Sequence, residues 1–131
     1  MEPETIGRFL VTAFFAVVFL QSAVDKLTDS QGNLDFIRGH LAQSPFSQQT
    51  VTRLFWLLAL MELLAGVLCA LGLLFFSFRR EGMNLASAGI GMGGLALLSL
   101  MVGQRLAKDY AGAAVIAAYF AVALLGLQLF D

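Results

Sequence analysis

The stretch that decides the fold is residues 54–76, LFWLLALMELLAGVLCALGLLFF, in which Glu62 is the single charged residue. At 1.5 Å per residue, a helix of this length spans the roughly 30 Å of a bilayer's hydrocarbon core. Its composition provides no polar face for water, so its side chains are expected to face lipid or other apolar helices. The stretch therefore predicts a transmembrane α-helix.

Three further segments have the same length and the same scarcity of charge: residues 6–27, 83–103 and 110–130. The links at 77–82 and 104–109 are short, and short links join antiparallel neighbours. We therefore predict an all-α membrane protein, an antiparallel four-transmembrane-helix bundle that forms one domain over residues 1–131. The first segment is expected to be a retained anchor, because no A-x-A cleavage site follows its apolar core.

The overall composition agrees with a protein that lies in lipid. Hydrophobic residues make up 59% of the 131 residues, charged residues 13%, and the mean hydropathy is +0.82. A soluble domain has about 25% charged residues. The formal net charge of −1 leaves no excess of basic residues to neutralise phosphates, so nucleic-acid binding is excluded. The bilayer is the predicted partner.

The polar connection at 28–53 contains one helical pattern. Leu34, Ile37 and Leu41 recur at helical spacing, with Asn33 as the predicted N-cap and Pro45 beyond the end. This pattern predicts a short interfacial helix. An ordinary ordered loop is the alternative, because a two-turn helix is marginal unless it packs on something.

Several ionisable residues lie at membrane depth, where a charge costs roughly 2.5 to 3.5 kcal/mol on insertion scales. Glu62 lies inside the second span, and Gln21, Asp25 and Lys26 approach it from the end of the first. A Lys26–Glu62 pair is geometrically reasonable. Two interpretations stay open: a polar pocket or proton-handling site between spans one and two, and a structural ion pair that fixes helix register.

Small residues mark the faces on which membrane helices can pack closely. Gly66 lies in the second span, and Gly89 and Gly93 form a small-xxx-small pair in the third. In the fourth span Ala113, Ala117 and Ala121 form one stripe. These residues predict helix-packing faces, within a bundle or in an oligomer.

The distribution of basic residues bears on orientation. Arg8, Arg79 and Arg80 fall on the side of the termini, whereas Lys26, Arg38, Arg53, Arg105 and Lys108 fall on the other side. The positive-inside rule then predicts that both termini lie outside.

Two residue types limit the chemistry. Cys69 is the one cysteine, which excludes an internal disulfide, a CxxC redox pair and a cysteine-built metal site. His40 is the one histidine, so two facing haem ligands are lacking, and it is interpreted as an interfacial polar residue. We expect no catalytic residue, no metal and no cofactor, with a bound quinone or lipid left open.

The segment GRFLVTAFFAVVFLQSAVDKL at 7–27 resembles the opening of the DoxX-like membrane family, with Lys26 and Leu27 at its characteristic end. The resemblance continues through Ser44-Pro45 and into ELLAGVLCALG at 62–72, although Ala23 stands where a Gly is more usual. It implies a small four-span protein of a bacterial inner membrane. Some members are associated with quinone-linked oxidation of sulfur compounds or with terminal oxidases, and most have no assigned reaction.

Three functional hypotheses follow. The first is an accessory or structural subunit of a larger respiratory or redox-linked membrane complex, or a homo-oligomer, that docks through its Gly/Ala faces. The second is a quinone- or lipid-binding oxidoreductase component with a pocket near Gln21, Lys26 and Glu62. The third is a small proton-coupled transporter that relies on Glu62.

Overall fold

The computed structural model describes residues 2–76 and 80–131, which form five α-helices. They are α1 (Pro3–Thr28), α2 (Ser30–His40), α3 (Gln48–Phe76), α4 (Arg80–Leu106) and α5 (Tyr110–Gln128). All except α2 are long and apolar enough to cross a membrane. The predicted all-α, four-span bundle with a short helix in the first connection is confirmed.

Helix α3 occupies the centre of the bundle, between α1 and α4, and α5 packs on α4 with a smaller contact to α1. Buried aromatic and aliphatic side chains from α1 and α4 fill the core together with small residues of α3, chiefly Phe15, Phe19, Ile90, Leu97, Ala65 and Cys69. At the end that holds the termini, the Arg8 Nε donates a hydrogen bond to the Leu129 carbonyl. That contact joins α1 to the chain beyond α5. The predicted link at 77–82, including Arg79, lies partly outside the described residues.

Glycine lets the central helices approach closely. A Cβ on Gly66 would lie 2.8 Å from Leu20 of α1, and one on Gly89 would lie 2.7 Å from the Cys69 sulfur of α3. A Cβ on Gly93 would lie 2.3 Å from the Phe19 ring. All three glycines therefore lie at contacts between helices.

Most of the alanine stripe of α5 faces away from the bundle. Ala113 is buried, but Ala117 and Ala121 are exposed on the chain. Helix α5 turns Ala113, Ala123 and Gly126 inward instead, and a Cβ on Gly126 would lie 2.8 Å from Val11 of α1. The stripe thus begins at the bundle and continues on the outward side of α5, where a contact of Ala117 and Ala121 in an oligomer stays a prediction.

The first connection is more helical than its polarity predicted. Helix α3 begins at Gln48, six residues before the predicted start of the second span at residue 54. The predicted N-cap of α2 was wrong: Asp29 caps the helix, and its carboxylate accepts a hydrogen bond from the Gly32 backbone N–H. The Asn33 side chain donates to the Asp25 and Asp29 carbonyls, which fastens α2 to the end of α1.

Candidate functional site

A buried ion pair joins α1 to α3. The Lys26 Nζ lies 3.1 Å from Glu62 Oε1 and 3.3 Å from Glu62 Oε2, and it donates a 2.9 Å hydrogen bond to the Ser22 hydroxyl. Glu62 is only 1% exposed and the Lys26 side chain 11%. Two opposite charges at this depth compensate each other, which offsets the desolvation of each.

The other two residues expected near this pair point elsewhere. Gln21 and Asp25 are exposed, whereas Ser22 and Lys26 turn toward α3. Successive helical residues are rotated by about 100°, so the pair at 21 and 25 lies on the face next to the pair at 22 and 26. The structure therefore brings Lys26 and Glu62 together and leaves Gln21 and Asp25 outside.

The ion pair reveals an offset between the two helices. Lys26 lies two residues before the end of α1, about 3 Å along the axis, whereas Glu62 lies fourteen residues into α3, about 21 Å along it. The first turns of α3 therefore project well beyond the end of α1. Helix α2 lies beside this projecting part, where its Leu34 is buried and its Arg38 donates to the Thr52 hydroxyl of α3.

A cavity of about 510 Å³ lies between α2, the projecting turns of α3 and the end of α4. Its wall is mostly apolar, with three phenylalanines and several aliphatic side chains: Phe36, Phe46, Phe55, Leu58, Met61 and Leu100. Six residues contribute polar groups: Lys26, Asn33, His40, Ser99, Gln104 and Asp109. The ion pair is thus adjacent to the cavity, with Lys26 on the wall and Glu62 buried behind it.

His40 connects α2 to the link between α4 and α5. Its Nε2 lies 2.7 Å from Gln104 Oε1 and 3.6 Å from Asp109 Oδ2, and its ring stacks on Phe36 with centroids 5.5 Å apart. Asp109 also caps α5, where its Oδ1 accepts from the Gly112 N–H at 2.8 Å. These contacts hold the end of α2 over one side of the cavity.

Sequence reasoning missed His40, Gln104 and Asp109 as members of one site. His40 is interpreted from the sequence as an interfacial polar residue, and the structure shows Asp109 as the N-cap of α5. His40 lies more than sixty positions before Gln104 and Asp109 in the sequence, and no spacing signals their approach. The antiparallel links alone place the first and third connections at the same end of the bundle.

The charges of this site nearly cancel. Lys26 and Glu62 neutralise each other, and Asp109 contributes a carboxylate to the wall. Over residues 2–76 and 80–131, no cluster of three His, Cys, Asp or Glu side chains is arranged to hold a metal ion. The arrangement can bind an apolar body and donate or accept a few hydrogen bonds.

Comparison of the chain with protein-family models, with curated proteins and with solved structures finds no match. The resemblance to the DoxX-like family stays a prediction that rests on its motifs.

Proposed function

We propose that this chain is a membrane component that binds an amphipathic small molecule of the quinone or lipid class in the cavity between α2, α3 and α4. The observation that carries the proposal is the cavity itself, about 510 Å³ in volume, with aromatic and aliphatic walls and a few polar groups. Small-molecule sites have this size and composition, typically 300 to 1,000 Å³. The proposed role is the binding of this molecule.

The position of the cavity supports a ligand that comes from the bilayer. Its apolar wall is built by α3 and α4, two of the membrane-spanning helices, and its polar groups lie near their ends beside α2. An amphipathic molecule places its head near the membrane surface and its tail among apolar side chains. The proposal includes a DoxX-like protein of a bacterial inner membrane, on the sequence motifs around Lys26 and Glu62 that carry the resemblance.

Glycine residues of α4 provide a matched test. A Cβ on Gly103 meets nothing within 4 Å, and Gly103 lies on the cavity wall, so Gly103→Phe would fill the cavity without a backbone clash. Gly91 has the same open surroundings and lies away from the cavity, so Gly91→Phe is the control. Trp56 is the one tryptophan and is adjacent to Phe55 of the cavity wall, which makes its fluorescence a sensor.

The experiment titrates purified protein in nanodiscs with a benzoquinone that carries a ten-carbon chain, since quinones quench tryptophan fluorescence. The proposal predicts saturable quenching in wild type and in Gly91→Phe, and loss of the saturable part in Gly103→Phe. Equal titrations of all three proteins would refute binding in this cavity.

An accessory subunit is the second candidate, and the outward face of α5 favours it. Ala117 and Ala121 are exposed there, and small residues allow a second helix to approach closely. Purification in mild detergent tests this candidate: a larger membrane protein should co-purify with wild type and be lost from the double substitution Ala117→Phe and Ala121→Phe. A chain that always purifies alone would refute it. No specific contact favours the proton-coupled transporter.

A further inference from the structure

We infer that the outward face of α1 docks a transmembrane helix of another protein, and that this helix carries a lysine or arginine that binds Asp25 and Gln21. The inference goes beyond the proposed function, because it concerns the outer surface of α1 and does not depend on the cavity. It names the chemistry of the partner, which the exposed alanines of α5 leave unspecified.

Two polar side chains, Gln21 and Asp25 (the polar pair), lie one helical turn apart on the exposed side of α1. Within the part of the chain that the structure describes, neither side chain has a hydrogen-bond or ion-pair partner. The same residue types at the same spacing in α2, Gln31 and Asp35, are joined by a 2.8 Å hydrogen bond. The polar pair of α1 therefore leaves an amide and a carboxylate open to a neighbour.

Contacts of α1 with α3 place the polar pair inside the membrane. A Cβ on Gly66 would lie 2.8 Å from Leu20, and Lys26 pairs with Glu62. Both contacts fall within the apolar stretch 54–76, with Glu62 about 12 Å and Gly66 about 18 Å from its start. The polar pair lies between these two levels on α1. An exposed carboxylate at this depth is costly in lipid, and a hydrogen bond within the polar pair would leave its charge uncompensated.

The negative charge of Asp25 specifies a cation as its partner, because ionisable residues within membrane spans pair with one another. One lysine or arginine carries three or five N–H donors, enough to bind the Asp25 carboxylate and the Gln21 carbonyl oxygen together. Exposed Val17 and Val24 flank the polar pair on the same side of α1, at the spacing of a seam between two helices. This face therefore fits an apolar helix with one basic residue.

A second copy of this chain does not supply that residue. Across a two-fold axis it would bring its own Asp25 toward this one, and like charges repel each other. At this end of the bundle its exposed basic residues are Arg53, Arg105 and Lys108. Arg53 lies nine residues before Glu62 in α3, about 14 Å nearer the membrane surface, and copies inserted in one orientation keep this difference. The observations favour a helix of another protein.

Synthetic transmembrane peptides test the inference. Three peptides share a core of leucine and alanine, carry a dansyl group at one end and have lysine, leucine or glutamate at the central position. Each is added to the full chain in phosphatidylcholine vesicles, and energy transfer from Trp56, the one tryptophan, to dansyl reports binding. The lysine peptide should bind at least about tenfold more tightly than the other two, the effect of hydrogen bonds to a charged group. Equal binding of the lysine and leucine peptides would overturn the inference.

The key variant is Gln21→Leu with Asp25→Leu, which makes the exposed face of α1 apolar and leaves the core unchanged. Its matched control is Gln31→Leu with Asp35→Leu, which removes the same residue types at the same spacing from α2. The preference for the lysine peptide should be lost in the key variant and kept in the control. Loss in both variants, or in neither, would overturn the inference.

Two single variants cover the case in which the key variant fails to fold. Asp25→Asn should lose the preference for the lysine peptide and Asp25→Glu should keep it, and a preference retained in Asp25→Asn would overturn the inference. Self-association is measured on the same proteins, with copies that carry a donor or an acceptor dye at the N-terminus. Energy transfer between wild-type copies that Asp25→Asn abolishes would show that a second copy covers this face, and would also overturn the inference.

Discussion

Removal of one charge from the buried pair should destabilise the fold unequally, depending on which charge is removed. Lys26→Met leaves the Glu62 carboxylate, 1% exposed, without its partner. Loss of one member of a buried ion pair destabilises proteins by about 3 to 5 kcal/mol, because a charge stays buried without compensation. We expect a loss of this size in the free energy of unfolding.

Glu62→Gln should cost less, about 1.5 to 3 kcal/mol, the range for hydrogen bonds to a charged group. The glutamine oxygen can still accept from Lys26. In this variant Lys26 also keeps its hydrogen bond to the Ser22 hydroxyl. Because Lys26 borders the cavity near the end of α1, its flexible stem can carry the ammonium toward water. The control is Asp25→Asn, an exposed carboxylate one position away in sequence, for which the change should stay within about 0.5 kcal/mol.

The assay is reversible unfolding of each variant by sodium dodecyl sulfate in mixed micelles, completed by the double variant Lys26→Met with Glu62→Met. The double variant should be more stable than Lys26→Met alone, because removal of both charges leaves none uncompensated. Equal costs for the two single variants, or a double variant whose cost is the sum of the singles, would show that the two charges act independently and would refute the reasoning.

Two further predictions concern packing and the short helix. Gly93→Ala should destabilise the fold by about 1 to 3 kcal/mol, since its Cβ would lie 2.3 Å from the buried Phe19 ring. Gly94→Ala is the control, because a Cβ there meets nothing within 4 Å. Equal thermal unfolding of the two variants would contradict the prediction. His40→Phe keeps an aromatic ring but loses the hydrogen bond to Gln104. Amide hydrogen exchange in α2 should therefore accelerate about two- to tenfold, the effect of one ordinary hydrogen bond. Unchanged exchange would show that this bond does not hold α2 in place.

The sequence predicted the spans well and their ends less well. Hydropathy identifies the part of a helix that lies in lipid, but α3 starts at Gln48, within a polar stretch. Extending a formed helix by a few residues costs little, so the polar turns before the span stay helical. Buried Val51 of those turns packs at the first connection, which no hydropathy pattern of the span itself indicates.

The sequence predicts the part of the site that is built from a charged residue within an apolar segment. Glu62 has no polar neighbours within its span, which indicated that a partner must come from elsewhere, and Lys26 was the nearest cation in the topology. The rotation of α1 was not predictable, because exposed Asp25 and buried Lys26 are adjacent charged residues and only the packing against α3 separates them. His40 and Gln104 gave no signal, since polar residues are ordinary in a connection.

The two interpretations of the ion pair, structural contact and functional site, are not exclusive, because the first creates the conditions for the second. The contact between Lys26 and Glu62 sets the axial offset of α1 and α3, and this offset leaves the first turns of α3 without a neighbour from α1. Among the polar residues of these turns, Val51, Leu54 and Phe55 form an apolar surface that needs cover. Helix α2 is short, with eleven residues, and covers only part of it. The cavity is the remaining space, so the residue pair that fixes the register also determines where the proposed ligand would lie.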